Sequence, residues 1–285
     1  MPTPQPPLIL VDNVFDRINL YPLAVLSSSG DAVGRDKEFI ADYRRERDYW
    51  QAATAATNRY VQVDLGAGNS RAVDSCWIDR LTTVALGGLW GLTVVIEAGD
   101  DGATWPDSVS RAVPASGTVG GDPETSWCVT EEGAIYTLFT PFSARRYFRV
   151  RISTSAQPVI AGVIVGKRIQ LLNYSSVRDE DAGERSNRVE KSLVPGYEGR
   201  DRTYARRTIN LKLSTIGATE YDSSIRTLRR LLFETDQPAV VVHNYGTNPE
   251  RAWLYQYEGP NWSSPMQRVL RDLGLPMSEV GPLVR

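Results

Sequence analysis

Few side chains in this sequence are suited to catalysis, and they are widely spaced. Its one histidine, His243, has no cysteine, histidine or carboxylate residues around it at the spacing of a metal site. Two pairs of adjacent carboxylates, Asp100-Asp101 and Glu131-Glu132, have the chemistry of a glycosidase acid and base. That reaction needs two carboxyl groups facing each other across a cleft, whereas adjacent carboxylates in turns are typical of a solvated surface.

Cofactor and nucleophile motifs are equally scarce. The sequence has no Walker loop, no Gly-x-Ser-x-Gly and no His-Glu-x-x-His. Gly66-Ala67-Gly68 follows a predicted strand, but the third glycine and the helix of a dinucleotide site do not follow it. We therefore expect a protein that is not an enzyme and that uses no cofactor and no metal. A polysaccharide-degrading enzyme is the less favoured alternative.

The arginines are the more informative charged residues. One group, Arg44, Arg45 and Arg47, precedes Trp50, and a second lies within residues 200–207. Acidic residues are interspersed with both groups, whereas nucleic-acid-binding surfaces usually gather basic residues alone. The formal net charge of −2 gives no overall attraction to nucleic acid or to an anionic membrane. Charges of both signs on loops are typical of a solvated face or of protein contacts, in which arginine and aromatic residues carry the binding energy.

The composition is that of a folded soluble protein. Hydrophobic residues make up 41% of the chain, and no apolar run approaches the about 20 residues of a membrane helix. The first residues, Met1-Pro-Thr-Pro-Gln-Pro-Pro, lack the basic and apolar regions of a signal peptide, and their prolines favour an extended arm that could reach a neighbour. Cys76 and Cys128 are predicted to be buried free thiols in a reducing cytosol.

Strands in the first half follow from apolar/polar alternation. Tyr60 to Leu65 places Tyr60 and Gln62 on one face and Val61, Val63 and Leu65 on the other. Further strands are predicted at Leu8–Val11, Cys76–Ile78, Leu92–Ala98, Arg145–Ile152 and Val159–Gly166. The Asp-Gly within residues 99–105 supplies the positive φ that a hairpin turn needs.

Trp50 followed by aromatic-Val-Gln-Val-Asp-Leu-Gly at 60–66 resembles the discoidin, or coagulation factor 5/8 type C, domain. The Asp-Gly-x-Thr-Trp turn ending at Trp105 resembles the same family, over residues 20–170 in all. The resemblance implies a galactose-binding-like jelly-roll β-sandwich. Sugar sites of this fold lie in rim loops and use exposed aromatic residues with arginine and aspartate partners, so it also implies Arg45, Asp48 and Trp50 as glycan or partner contacts.

The second half has a different pattern. It is interpreted as a charged loop or arm at residues 171–206 followed by a smaller α+β domain at residues 207–285. At the other end of the chain, before the sandwich, residues 1–19 are interpreted as a Pro-rich arm and leading strand. The domain is predicted to have a strand at Arg207–Leu213, a helix with one apolar stripe (Tyr221, Ile225, Leu228 and Leu232), a strand at Ala239–Val242, and a strand on which Trp253, Tyr255 and Tyr257 alternate. Thr219 and Asp222 approximate a capping box for the helix.

This order of elements is similar to the small α+β domain of tail-tube and distal-tail proteins of long-tailed bacteriophages. The fold class expected is thus mainly β, a sandwich followed by one helix packed on an antiparallel sheet. The leading hypothesis is a structural tail component of distal-tail or baseplate type. It would form a homo-oligomeric ring, join tube to tip with neighbouring tail proteins, and reside in the virion after assembly in the host cytoplasm. The alternative is a carbohydrate-binding adhesion module whose partner is a host surface glycan.

Overall fold

The structure, a computed structural model, describes residues 7–17, 20–41, 49–83, 92–114, 118–154, 156–171, 184–191, 198–206, 208–213, 224–235, 237–257 and 273–279. The strands are β1 (Leu8–Val11), β2 (Val25–Ser28), β3 (Trp50–Gln51), β4 (Arg59–Asp64), β5 (Ser75–Asp79), β6 (Thr82–Thr83), β7 (Thr93–Gly99), β8 (Asp107–Ala112), β9 (Cys128–Val129), β10 (Ile135–Leu138), β11 (Tyr147–Ser153), β12 (Pro158–Ile160), β13 (Gly162–Gln170), β14 (Glu184–Lys191), β15 (Glu198–Arg206), β16 (Thr208–Leu213), β17 (Ala239–Asn244), β18 (Asn248–Tyr257) and β19 (Leu273–Glu279). A 3₁₀ helix spans Lys37–Ala41, and helix α1 (Arg226–Arg229) continues as a π-helical turn over Arg230–Glu234.

The strands form four antiparallel sheets. The largest has nine strands in the order β16-β19-β18-β17-β1-β13-β5-β10-β9, and the next has five in the order β2-β4-β11-β7-β8. Strands β3, β12 and β6 form a small third sheet, and among the described strands β14 and β15 pair only with each other. The predicted closing strand at 159–166 is therefore two strands, β12 and β13, in different sheets.

The first half is a β-sandwich. The five-stranded sheet packs on the β13-β5-β10-β9 end of the large sheet, and the core between them includes Val61, Phe148 and Ile96 from one layer and Ile78 and Val163 from the other. The alternation predicted for β4 is confirmed, because its valines are fully buried while its tyrosine and glutamine are partly exposed. Both cysteine thiols are buried, as predicted.

The second half places one helix on an antiparallel sheet. Ile225, Leu228 and Leu232 are buried against β17 and β18, whereas Arg226 and Arg230 are exposed. This confirms the predicted stripe for those residues; Thr219, Tyr221 and Asp222 lie outside the described part of the chain. The aromatic residues of β18 are buried in the same core. The expected fold class, mainly β with a sandwich and a smaller α+β part, is confirmed.

Two stretches differ from the sequence prediction. Within residues 171–206, predicted to be a loop or arm, β14 and β15 form a β-hairpin. Polar strands with no apolar face give little periodic signal, which explains why the sequence suggested a loop. In the tail after Pro260, β19 pairs with both β16 and β18.

Strand β1 connects the two halves within one sheet. It pairs with β13 on one side and with β17 on the other. Ile9 and Val11 face the core beneath the helix, while Leu8 and Leu10 face a third cluster that includes Trp77, Tyr136 and Val240. Four consecutive apolar residues suit a strand that is buried on both faces, whereas a strand with alternating apolar and polar residues has one face exposed to solvent.

Candidate functional site

One rim of the sandwich carries a polar cluster around Asp31. The indole Nε1 of Trp50 donates to Asp31 Oδ1 at 2.9 Å, and Lys37 Nζ donates to Asp31 Oδ2 at 3.1 Å. Beside this cluster the Arg35 guanidinium lies over the Tyr49 ring, 3.9 Å from its centroid. Arg35 and Tyr49 are partly exposed, and the Asp36 side chain is 52% exposed. The rim therefore offers donors, acceptors and an aromatic ring close together.

The charges of this cluster stabilise one another. Burial disfavours the charged form of Asp31, but hydrogen bonds from Ser28, Trp50 and Lys37 outweigh it and lower the pKa of the carboxyl group. Burial likewise opposes the charge of Lys37, and the carboxylate of Asp31 outweighs it and raises the pKa of the ammonium group. Both groups are thus ionised at neutral pH, and the Asp31–Lys37 ion pair is a fixed feature of the rim.

The three residues predicted as glycan contacts have different outcomes. Trp50 is fully buried in the sandwich core, with its only polar atom bonded to Asp31. The prediction of Trp50 as a direct contact is corrected to a core residue that supports the rim, because a side chain without exposed surface cannot touch a ligand. Arg45 and Asp48 lie outside the described residues, in the segment that leaves Ala41 and returns at Tyr49.

A second polar surface covers the outer side of the five-stranded sheet. On β11, Arg149 places its guanidinium carbon 4.2 Å from the centroid of the Trp105 ring and 5.2 Å from that of Tyr60. Trp105 comes from the β7–β8 turn and Tyr60 from β4, so three segments distant in sequence meet here. Both aromatic residues are partly exposed.

Glu97 of β7 anchors this surface. It accepts from Arg149 Nε at 2.7 Å and from Arg151 Nη2 at 3.0 Å, and its side chain is only 8% exposed. Burial opposes ionisation of Glu97, but the hydrogen bonds from Arg151 and Arg149 outweigh it and hold the pKa of the carboxyl group below its ordinary value. The register of the sheet explains the contact, since Glu97 is directly opposite Arg149.

The β7–β8 turn folds over one end of this surface. Asp101 Oδ1 accepts from the backbone N–H of Thr104 at 2.7 Å, and Gly102 has φ +71°, the left-handed region that the Asp-Gly pattern predicts. A Cβ on Gly102 would lie 3.1 Å from the Tyr147 ring, so the glycine also permits close approach to the sheet. The turn thereby fixes the position of Trp105, which lies near its end.

The other residues considered for catalysis are engaged elsewhere. His243 Nε2 lies 3.1 Å from the hydroxyl oxygen of Tyr255, and its ring packs edge-on against Trp253. Asp100 pairs with Arg145, and Asp101 serves the turn. Within the described part of the chain, no group of three or more histidine, cysteine and carboxylate residues is arranged to hold a metal ion. No helix among the described residues combines the length and the hydropathy that a membrane-crossing segment needs.

Sequence reasoning did not find the Arg149 surface. The alternation of β11 and β7 was visible, and it placed Arg149 and Glu97 on the polar side of each strand. Their pairing depends on which strands are neighbours and in which register, and a single sequence does not specify that. The resemblance to a family whose sites lie in loops also predicts a site at the rim and not on the face of the sheet.

No protein-family model matches the sequence, and a search of curated proteins finds no match. Among solved structures, chitosan-binding module 1 of a chitosanase/glucanase from Paenibacillus sp. IK-5 is 15% identical, covers 54% of this chain and 97% of its own, and has a TM-score of 0.36. The lectin domain of lectinolysin, complexed with Lewis B antigen, is 16% identical over 55% of this chain and 96% of its own, with a TM-score of 0.38.

A fucose-binding module of Streptococcus pneumoniae is 16% identical over 55% of this chain and 95% of its own, with a TM-score of 0.37. All three likenesses concern about half of the chain, and TM-scores this low carry no argument about function. Nothing in these comparisons supports the resemblance of the second half to bacteriophage tail proteins.

Proposed function

We propose that the sandwich is a carbohydrate-binding module that recognises a surface glycan without catalysing a reaction on it. The observation that supports this is the rim, where the partly exposed Arg35–Tyr49 stack adjoins Asp36 and the Asp31–Lys37 ion pair. Sugar hydroxyl groups both donate and accept hydrogen bonds, and small-molecule sites combine aromatic surface with a few well-placed polar groups. The rim supplies both.

The rim is also rigid beneath its surface. The buried Trp50 indole donates a hydrogen bond to Asp31, and Asp31 accepts another from Lys37. A site fixed before the ligand arrives loses less conformational entropy on binding, which matters for ligands that make weak individual contacts. Arg45 and Asp48 belong to the segment between Ala41 and Tyr49, so they stay candidate contacts of the same site.

The test is a glycan array probed with the full chain. Arg35→Ala, Tyr49→Ala and Arg45→Ala should each weaken binding to the recognised glycan by roughly tenfold or more, because each removes a direct contact. Arg80→Ala is the matched control, since Arg80 is an exposed arginine that follows a strand of the opposite sheet. Silence across the array, or unchanged binding by all three variants, would refute the proposal. An assay on the recognised polysaccharide that detects cleavage would refute its non-enzymatic part.

A second function, assembly within a bacteriophage-like tail, is favoured by two features of the second half. The hairpin β14–β15 is a sheet of its own, and an isolated two-stranded hairpin is marginally stable in water without a partner. Strand β16 lies at the edge of the nine-stranded sheet and pairs only with β19 among the described strands. An edge strand of six residues is a template for pairing with another chain.

In this second proposal the protein forms a homo-oligomeric ring and contacts neighbouring tail or baseplate proteins. It resides in the virion after assembly in the host cytoplasm, with the sandwich available to a host glycan. Electron micrographs of the assembled particle, labelled at this chain, should show the label in a ring on the tail. A chain that light scattering finds monomeric at high concentration, together with a particle that carries no label, would refute it. Deleting residues 184–206 should weaken assembly and leave glycan binding unchanged.

A further inference from the structure

The outer surface of the five-stranded sheet has unused binding capacity at Arg149. Its Nε donates to Glu97, and its guanidinium is flanked by the rings of Trp105 and Tyr60. Within the described part of the chain neither Nη group of Arg149 has a hydrogen-bond acceptor, and the side chain is 18% exposed. A guanidinium held between two rings therefore presents two amino groups to solvent.

The charge of the surface is not balanced at this point. Glu97 is a single carboxylate shared by Arg149 and Arg151, so the three side chains together carry one positive charge. The donors of Arg151 are engaged, because its Nη1 donates to Asn58 at 2.7 Å and its Nε and Nη2 donate to Glu97. The nearby Asp64 is paired in two hydrogen bonds with Arg146. The surplus positive charge is thus accessible at Arg149.

We propose that this surface binds a saccharide through the carboxylate of an acidic sugar, which accepts hydrogen bonds from both Nη groups of Arg149. A planar guanidinium matches a carboxylate in two parallel hydrogen bonds, the stronger class of charge-assisted contact. The sugar ring packs against the exposed part of Trp105 or Tyr60. The hydroxyl groups of Ser108 and Ser110, exposed on β8 on the same side of the sheet as Glu97, offer further hydrogen bonds to the saccharide.

A saccharide fits this surface better than an acidic peptide does. Two partly exposed rings flank the cation, and the adjoining strand presents small hydroxyl side chains. A carboxylate side chain of a peptide satisfies the cation, whereas an acidic sugar also brings a ring face for the aromatic residues and hydroxyl groups for the serines. The site stands on β4, β7, β8 and β11 of the sheet and shares no side chain with the Asp31 cluster of the rim. It is therefore carried by different residues from the function proposed above and can succeed or fail separately.

The first test varies the ligand and keeps the protein intact. Titration calorimetry on the full chain would compare a glucuronate-containing oligosaccharide, its methyl ester, and the corresponding neutral glucose oligosaccharide. We expect the acid to bind at least tenfold more tightly than the ester or the neutral sugar, because charge-assisted hydrogen bonds are lost in both. Equal binding of acid and ester would overturn the proposal, as would equal binding of a polyglutamate peptide.

The second test varies the protein. Arg149→Gln should lower affinity for the acidic oligosaccharide roughly 10- to 100-fold, and Arg149→Lys should restore only part of it, because an ammonium group cannot reproduce the planar pair of donors. Trp105→Leu should weaken binding of the acid without abolishing its preference over the ester. Arg80→Gln is the control for charge, and the thermal unfolding temperature of each variant establishes that it is folded.

Two outcomes separate this inference from the function of the rim. If Arg35→Ala abolishes binding of the acid while Arg149→Gln leaves it unchanged, the acid binds at the rim and the assignment to Arg149 is wrong. If neutral glycans fail to bind anywhere but the acid binds through Arg149, the rim proposal fails and this one stands.

Discussion

The two sides of the five-stranded sheet are formed by the same strands but place different requirements on their side chains. On the inner side, Val61, Phe148 and Ile152 are fully buried and contact other apolar side chains. On the outer side, Tyr60 next to Val61 and Arg149 next to Phe148 are partly exposed and contact each other across the sheet. The inner side needs apolar residues of suitable volume, whereas the outer side needs particular pairs.

This difference indicates which side of the sheet can carry a binding function. Inner positions tolerate exchange among hydrophobic residues if the volume is kept, so their identity says little about ligands. If only the fold mattered, almost any polar residue would serve at the outer positions. Glu97 is nearly buried on the outer side of the sheet and receives two arginines there, which stability alone does not require.

The largest effect should come from the inner side. Phe148→Ala removes a ring that has no exposed surface, and the cavity left behind should lower the free energy of unfolding by about 3–5 kcal/mol. Urea denaturation measures it. Ser110→Ala, on the outer side of β8, is the control and should change stability by less than about 0.5 kcal/mol. Equal losses in the two variants would contradict the contrast.

Loss of the shared carboxylate should have an intermediate effect. Glu97→Gln keeps the shape of the side chain but leaves Arg149 and Arg151 facing each other without a counter-charge, so the free energy of unfolding should fall by about 1–3 kcal/mol. The same denaturation experiment measures it. A gain in stability would contradict this prediction and show that the triad is a net cost to the fold.

The pH dependence of stability should identify the same carboxylate. Its pKa in the folded protein is depressed, so its contribution is present at pH values above the pKa of glutamate in the unfolded chain. That contribution should disappear as the pH falls through the depressed pKa of the folded state. The wild-type protein should therefore lose stability on acidification more steeply than the Glu97→Gln variant. Parallel curves for the two proteins would show that this residue does not contribute.

The smallest effect should appear in the β7–β8 turn. Hydrogen bonds from the backbone N–H and the hydroxyl group of Thr104 and from the backbone N–H of Ala103 lower the pKa of Asp101 to about 2. Thr104→Val removes the hydroxyl donor, so the pKa of Asp101 should rise towards its ordinary value. A carboxyl ¹³C titration by NMR measures it. Should the pKa stay where it is, the backbone donors alone hold it down.

The sequence predicted the inner side of the sandwich well and the outer side poorly. Period-two alternation identifies which residues of β4 and β11 are buried, whereas in β7 the outer residues Val95 and Glu97 are buried as well as the inner ones. It does not reveal that Glu97 is 6% exposed, since the covering arginines come from a strand about fifty residues further on. Likewise the resemblance correctly indicated a sandwich but placed Trp50 at the ligand, where the structure has it in the core.

In the second half, too, the sequence predicts elements with a regular apolar pattern and misses the others. The helical stripe and the aromatic alternation of β18 were readable because they are apolar and regular. Strand β19 was missed because the tail from Pro260 contains many turn residues and Pro276 lies within the strand itself. It is a strand because β16 and β18 lie on either side of it. Pairing between distant segments supplies what local propensity lacks.

The position of β1 has a consequence for biosynthesis. Strand β1 precedes both of its partners in the chain, β13 at residues 162–170 and β17 at residues 239–244. During synthesis Leu8–Val11 has no partner until β13 has been made, and its second edge stays unpaired until β17 has also been made. A product truncated before β17 would leave one edge of that apolar strand unpaired, which favours its recognition by chaperones and proteases.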